Sequence, residues 1–178
     1  QFFNGHTNIT SSRFLVFGVK GMLSAAKNVR NAMLFNVLSF MSDKLLTVGN
    51  TVAALDELYI WLSTPTAIEY IRNCLKRVRK KESAMLLASQ NLEDFDQEGV
   101  REMTKPLFSI PPHQFLFNAG SIDKRSYMDM LQLEESEYNL IKFPQRGVCL
   151  YKCGNERYLL EVHAPAYKEK LFGTAGGR

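Results

Sequence analysis

Short apolar runs and helix-period patterns take turns along this chain, and that alternation restricts the fold more than any other feature. Arg13–Val19 (RFLVFGV), Thr51–Leu55, Ala84–Ser89 (AMLLAS) and Gln114–Asn118 (QFLFN) are apolar runs bounded by polar or turn residues, which suits buried strands. Between them the spacing predicts helices over about Leu23–Leu46, Pro65–Lys81, Val100–Leu107 and Ser121–Leu131. Gly49-Asn50 supplies a stop for the first. Ser63 and Thr64 followed by Pro65 give the second a capping hydroxyl and a first-turn proline, and Ser121 is the expected cap of the last. Pro106, Pro111 and Pro112 are expected to break the chain before the fourth strand. Gly147–Lys152 and Arg157–His163, separated by Cys153-Gly154-Asn155-Glu156, predict an antiparallel hairpin. The expected class is α/β, three-layered, with a mainly parallel sheet, helices on both faces, a C-terminal β-hairpin and ligands at the carboxyl ends of the strands.

The 178 residues, 46% of them hydrophobic and 22% charged, suffice for one core, so one domain or most of one is expected. No apolar run reaches the ~18 residues that would span a bilayer, since Asn36 and Ser39 interrupt even Ala32–Met41. The sequence opens on Gln1 without a charged and then apolar leader, which predicts no secretory signal in this stretch and a true N-terminus elsewhere. Cys74, Cys149 and Cys153 form an odd set that reads as reduced structural thiols of a cytoplasmic protein. His6, His113 and His163 are scattered, so no zinc site is expected. A net charge of +4 permits an acidic partner without requiring one.

The chemistry-bearing motif is Val52-Ala53-Ala54-Leu55-Asp56-Glu57. An apolar strand that delivers a carboxylate to the sheet edge can hold the water shell of Mg²⁺, and the next carboxylate can polarise an attacking water. Asp56 fits the first role and Glu57 the second; the plainer alternative is two acids solvating a strand end. One helix later Ser89-Gln90 ends another apolar strand, where Gln90 could face a γ-phosphate or that water, or simply cap a turn. On the intervening helix Ile68, Ile71, Leu75 and Val78 make an apolar stripe, while Arg72, Lys76, Arg77, Arg79, Lys80 and Lys81 gather at its C-terminus. Those cations suit a solvated helix end. Arg79 or Arg77 could instead be an arginine finger for a neighbouring subunit's γ-phosphate, and contact with a DNA backbone is a third reading. Arg146 is a further finger candidate, and Trp61 and Tyr59 read as packing residues.

Leu55-Asp56-Glu57-Leu58-Tyr59-Ile60-Trp61, the basic run Leu75–Lys81 and Leu86-Leu87-Ala88-Ser89-Gln90-Asn91 together resemble the stretch from Walker B to the glutamine motif in conjugation ATPases of the TraC and TrbE type, within the HerA/FtsK group of P-loop ATPases. The resemblance extends over nearly the whole chain, from Gln1-Phe2-Phe3-Asn4-Gly5 to Leu171-Phe172-Gly173-Thr174. It implies that residues 1–178 are the C-terminal portion of a RecA-like ATPase domain, with Asp56 and Glu57 as Walker B and Gln90 as the sensor glutamine. It implies ATP and Mg²⁺ as cofactors and a homohexamer at the cytoplasmic face of the inner membrane. Channel and coupling proteins of type IV secretion would be its partners and DNA a further candidate, with hydrolysis energising conjugative transfer or pilus assembly. A DNA translocase or a non-catalytic assembly module are the alternatives. None of the 11 glycines stands in a phosphate-binding loop ending in Lys-Ser or Lys-Thr; Gly173–Arg178 has glycines but no lysine, and lies at the wrong end. The family's loop would precede Gln1, so a truncated chain, inactive alone, is the expectation.

Overall fold

In the computed structural model the described residues are 12–62, 64–90, 92–95, 99–118, 120–143 and 145–173. Helix α1 (Lys27–Asp43) winds into a wider π turn over Lys44–Val48 and stops at Gly49. Gly49 has φ of 79°, and a β-carbon there would sit 2.8 Å from the Lys81 carbonyl oxygen, so the predicted stop is a position that only glycine fits. Strand β1 (Val52–Leu55) follows. Helix α2 (Pro65–Arg77) opens as its sequence requires, with the Thr64 hydroxyl accepting from the Ala67 N–H at 3.3 Å ahead of Pro65. The neighbouring Ser63 lies outside the described residues. A 3-10 turn, Val78–Lys81, then leads to strand β2 (Ala84–Leu87).

Strands β1 and β2 pair in parallel, Val52 opposite Ala84 and Leu55 opposite Leu87. Their inner face joins a core in which Leu38, Leu45, Leu55, Ile71 and Cys74 are almost wholly buried, each large aliphatic side chain contributing about 1.5–3 kcal/mol. The outer face, Val52, Ala54, Ala84 and Leu86, is exposed, so among the described residues helices cover one face of this sheet rather than both. Burial of the Cys74 thiol also pushes its pKa up, in keeping with an inert structural cysteine.

Beyond helix α3 (Arg101–Ser109), strand β3 (His113–Leu116) does not extend the parallel sheet. It pairs antiparallel with β4 (Val148–Cys153), which pairs with β5 (Glu156–Glu161) in the predicted hairpin. Helices α4 (Lys124–Leu131) and α5 (Glu135–Ile141) pack on the inner face of this second sheet through Tyr127, Leu131, Ile141 and Leu150. Leu92 and Phe108 pack against both cores and join them. A last helix, α6 (Ala166–Phe172), is exposed throughout.

Several expectations fail locally. Arg13–Val19 forms no strand: Phe14 and Val16 are 82% and 72% exposed, the edge of Phe17 packs on Phe40, and Val19 is half-buried against the first core. An apolar run becomes a strand only when a neighbour takes its backbone hydrogen bonds, and no described strand does. Pro106 sits inside α3 rather than breaking it; at the sixth position it costs that helix one amide donor. Asp123, not Ser121, caps α4 by accepting from the Ser126 N–H at 3.1 Å, while the Ser121 hydroxyl donates to Glu93. Helices α5 and α6 lie in stretches for which the sequence patterns predict no helix, although Glu134 and Glu137 form a reciprocal capping box at the start of α5.

Candidate functional site

Because β1 and β2 are parallel, whatever leaves their C-terminal ends leaves on the same edge, and Asp56, Glu57 and Gln90 all lie there. The edge is tied by backbone bonds of 2.9 Å from Ala88 N–H to the Leu55 carbonyl and from Leu58 N–H to the Ala88 carbonyl. Between those ties the chain turns sharply, with Glu57 in the left-handed region at φ of 49°. The Glu57 N–H donates to Asp56 Oδ1 at 3.0 Å, and the Ile60 N–H donates to the Glu57 carbonyl at 2.9 Å. Gln90 Nε2 donates to Glu57 Oε1 at 2.5 Å, a side-chain bond that links the two strand ends. Asp56 and Gln90 are exposed and Glu57 half-buried, so solvent reaches all three.

Asp56 offers a single carboxylate with Oδ2 not engaged by Glu57. That suits Mg²⁺, which keeps several waters and takes one or two carboxylates together with phosphate oxygens. No cluster of three His, Cys, Asp or Glu that could hold a metal ion occurs among the described residues.

Arg77 and Arg79 are exposed, at the end of α2 and in the turn that enters β2 at its N-terminal end. The sheet thus separates them from Asp56, Glu57 and Gln90 by the length of its strands, roughly 13 Å at ~3.3 Å per residue. The four-residue strands put acids and amide at one end and the basic run at the other. A polar cleft of about 640 Å³ between α3 and α4, bordered by Arg101, Lys105, Asp129 and Gln132, includes none of the predicted site residues.

Trp61, a packing residue by its sequence, does more than pack. Its ring is buried at 5% exposure among the core residues, and its indole N–H also donates to the Asp56 carbonyl oxygen at 3.3 Å. Nothing in a five-residue separation through a 3-10 turn (Leu58–Leu62) marks that bond in advance, beyond the rule that a buried indole needs an acceptor.

No protein-family model matches the chain. It is 28% identical over 141 residues to the second portion of the probable conjugal transfer protein TrbE of Sinorhizobium fredii, a match covering 76% of this chain and 20% of that protein. The structure of VirB4 of Thermoanaerobacter pseudethanolicus superposes with a TM-score of 0.77 at 30% identity, over 86% of this chain and 42% of that one. The chain therefore spans about a fifth of the first relative and less than half of the second. That superposition makes the mixed arrangement of a parallel pair and an antiparallel sheet part of a RecA-like domain.

Proposed function

We propose, the chain being of the VirB4/TrbE type in sequence and fold, that it supplies the hydrolysis side of a Mg-ATP site in an ATPase that energises type IV secretion. The observation carrying this is the contact between Gln90 and Glu57 across the C-terminal edge of two parallel strands, with Asp56 beside it. Mg²⁺, when bound with ATP, would draw charge from the β- and γ-phosphate oxygens. Asp56 would hold its water shell. Glu57 would accept the proton of the attacking water through a carboxylate oxygen, and Gln90, already donating to Glu57, would present its carboxamide to the same water or to the γ-phosphate.

The phosphate cradle would come from a glycine-rich loop elsewhere in the full-length protein, and the chain alone would bind Mg-ATP weakly or not at all. Arg77 and Arg79, at the opposite end of the strands from this edge, would act on a neighbouring subunit's nucleotide, in a homohexamer on the cytoplasmic face of the inner membrane beside the channel proteins. The test neutralises the acids separately. Glu57→Gln in the full-length protein keeps Mg-ATP binding and lowers turnover by about 10²–10⁴, whereas Asp56→Asn also weakens Mg-dependent binding. Full turnover in Glu57→Gln removes the assignment.

A further inference from the structure

We infer that Trp61 is a positioning residue that locks the peptide plane between Asp56 and Glu57, an inference that rests on the reading of Glu57 as the base. A left-handed backbone at a residue with a β-carbon is disfavoured, so the turn at Glu57 has a relaxed alternative. Because the peptide unit is rigid, rotating the 56–57 plane by half a turn carries Glu57 toward ordinary extended φ and swings the Asp56 carbonyl to the opposite side. The same rotation removes that carbonyl from the Trp61 indole N–H, which donates to it at 3.3 Å.

The other restraint on this plane is the Glu57 N–H bond to Asp56 Oδ1. That carboxylate is exposed and is the group offered to the metal's water shell, so its hold on the plane competes with its proposed role. Trp61 has no such competition: its ring is buried with Leu55 and Leu58, and an indole has a single donor. Flipping the plane would take the Glu57 N–H from Asp56 Oδ1 and change the φ on which the Glu57 rotamer depends, so the carboxylate would lose the geometry of its contact with Gln90. Trp61 thus acts on turnover through Glu57 without touching substrate.

The experiment removes the N–H and keeps the ring. In the full-length protein, Trp61 is replaced through stop-codon suppression by 3-benzothienylalanine, whose sulfur takes the place of the nitrogen, with 5-fluorotryptophan as the isostere that keeps the donor. Benzothienylalanine is expected to lower kcat by about 3–10-fold, the worth of one hydrogen bond, with KM for Mg-ATP unchanged and the melting temperature lowered by only a few degrees. The fluorinated residue restores kcat. In the Glu57→Gln background the same replacement produces no further loss. Unchanged kcat with benzothienylalanine, or an equal loss in the Glu57→Gln background, overturns the lock. Full activity in Glu57→Gln alone overturns the base itself, which is a different result. Trp61→Phe also removes packing, so the volume-matched isostere decides the matter even if that variant does not fold.

Discussion

The parallel pair β1–β2 and the antiparallel sheet β3–β4–β5 share a chain and divide its tasks. The parallel pair is four residues long, open on one face, and ends in a left-handed glutamate, an exposed aspartate and a glutamine bonded to its neighbour. The antiparallel sheet has a six-residue hairpin, closes its inner face with α4 and α5, and brings a lysine inside, with Lys152 Nζ donating to the Leu131 carbonyl at 2.5 Å. Its outer face carries a row of rings, Phe115, Tyr151 and Tyr158, with adjacent centroids 4.7 and 6.1 Å apart. Strain and polar exposure gather in the sheet proposed to do chemistry, and regular pairing in the sheet that supports it.

On that division, damage to the antiparallel sheet lowers stability and spares turnover per folded molecule. Leu150→Ala, at a site 1% exposed in the second core, should cost about 2–5 kcal/mol in denaturant titration while kcat and KM of the surviving folded protein stay put. A parallel fall in kcat would show the two sheets to be one functional unit. Gly147→Ala comes next. Gly147 has φ of 78°, and a β-carbon there would stand 2.5 Å from the Val162 carbonyl oxygen, which is backbone at the open end of the hairpin and cannot swing aside as a side chain would. A loss of about 1–3 kcal/mol is expected, read as a lower midpoint without a change in turnover. On the parallel side, Thr64→Ala removes the cap of α2 and should cost about 1 kcal/mol; because α2 connects the two strands of the site, turnover measured near the melting temperature should suffer before binding does.

The smallest effect is a pH dependence confined to the antiparallel side. Burial lowers the Lys152 pKa from the ordinary 10.5, Arg157 adds to the shift and Glu137 opposes it. Between the lowered value and 10.5 the folded chain binds fewer protons than the unfolded one, so stability rises as pH climbs through that window. Lys152→Met should flatten that alkaline rise in urea midpoints and leave the pH profile of turnover unaltered.

What could be read in the sequence follows the range of the forces involved. The α2 cap at Thr64-Pro65, the Gly49 stop, the short strands ending before Asp56 and Gln90, and the final hairpin all depend on nearby residues, and all are present. Whether Arg13–Val19 would pair, and which sheet would take β3, depends on distant partners that no local pattern specifies. The acids and the glutamine were legible as candidates because parallel strands deliver their ends to one edge. The 2.5 Å bond between Gln90 and Glu57, across 33 residues, and the indole bond to Asp56 arise only once the chain is folded.

The indole has a consequence of an optical kind. Trp61 is the single tryptophan of these 178 residues, and its nitrogen rests on the carbonyl adjoining both acids. Excited indole is sensitive to the charge and dipoles at that nitrogen, so a change of charge at the strand edge is written into the colour and intensity of emitted light. This stretch of chain therefore carries a native fluorophore one hydrogen bond from its proposed chemistry, and events there can be timed in a stopped-flow instrument without attaching a dye.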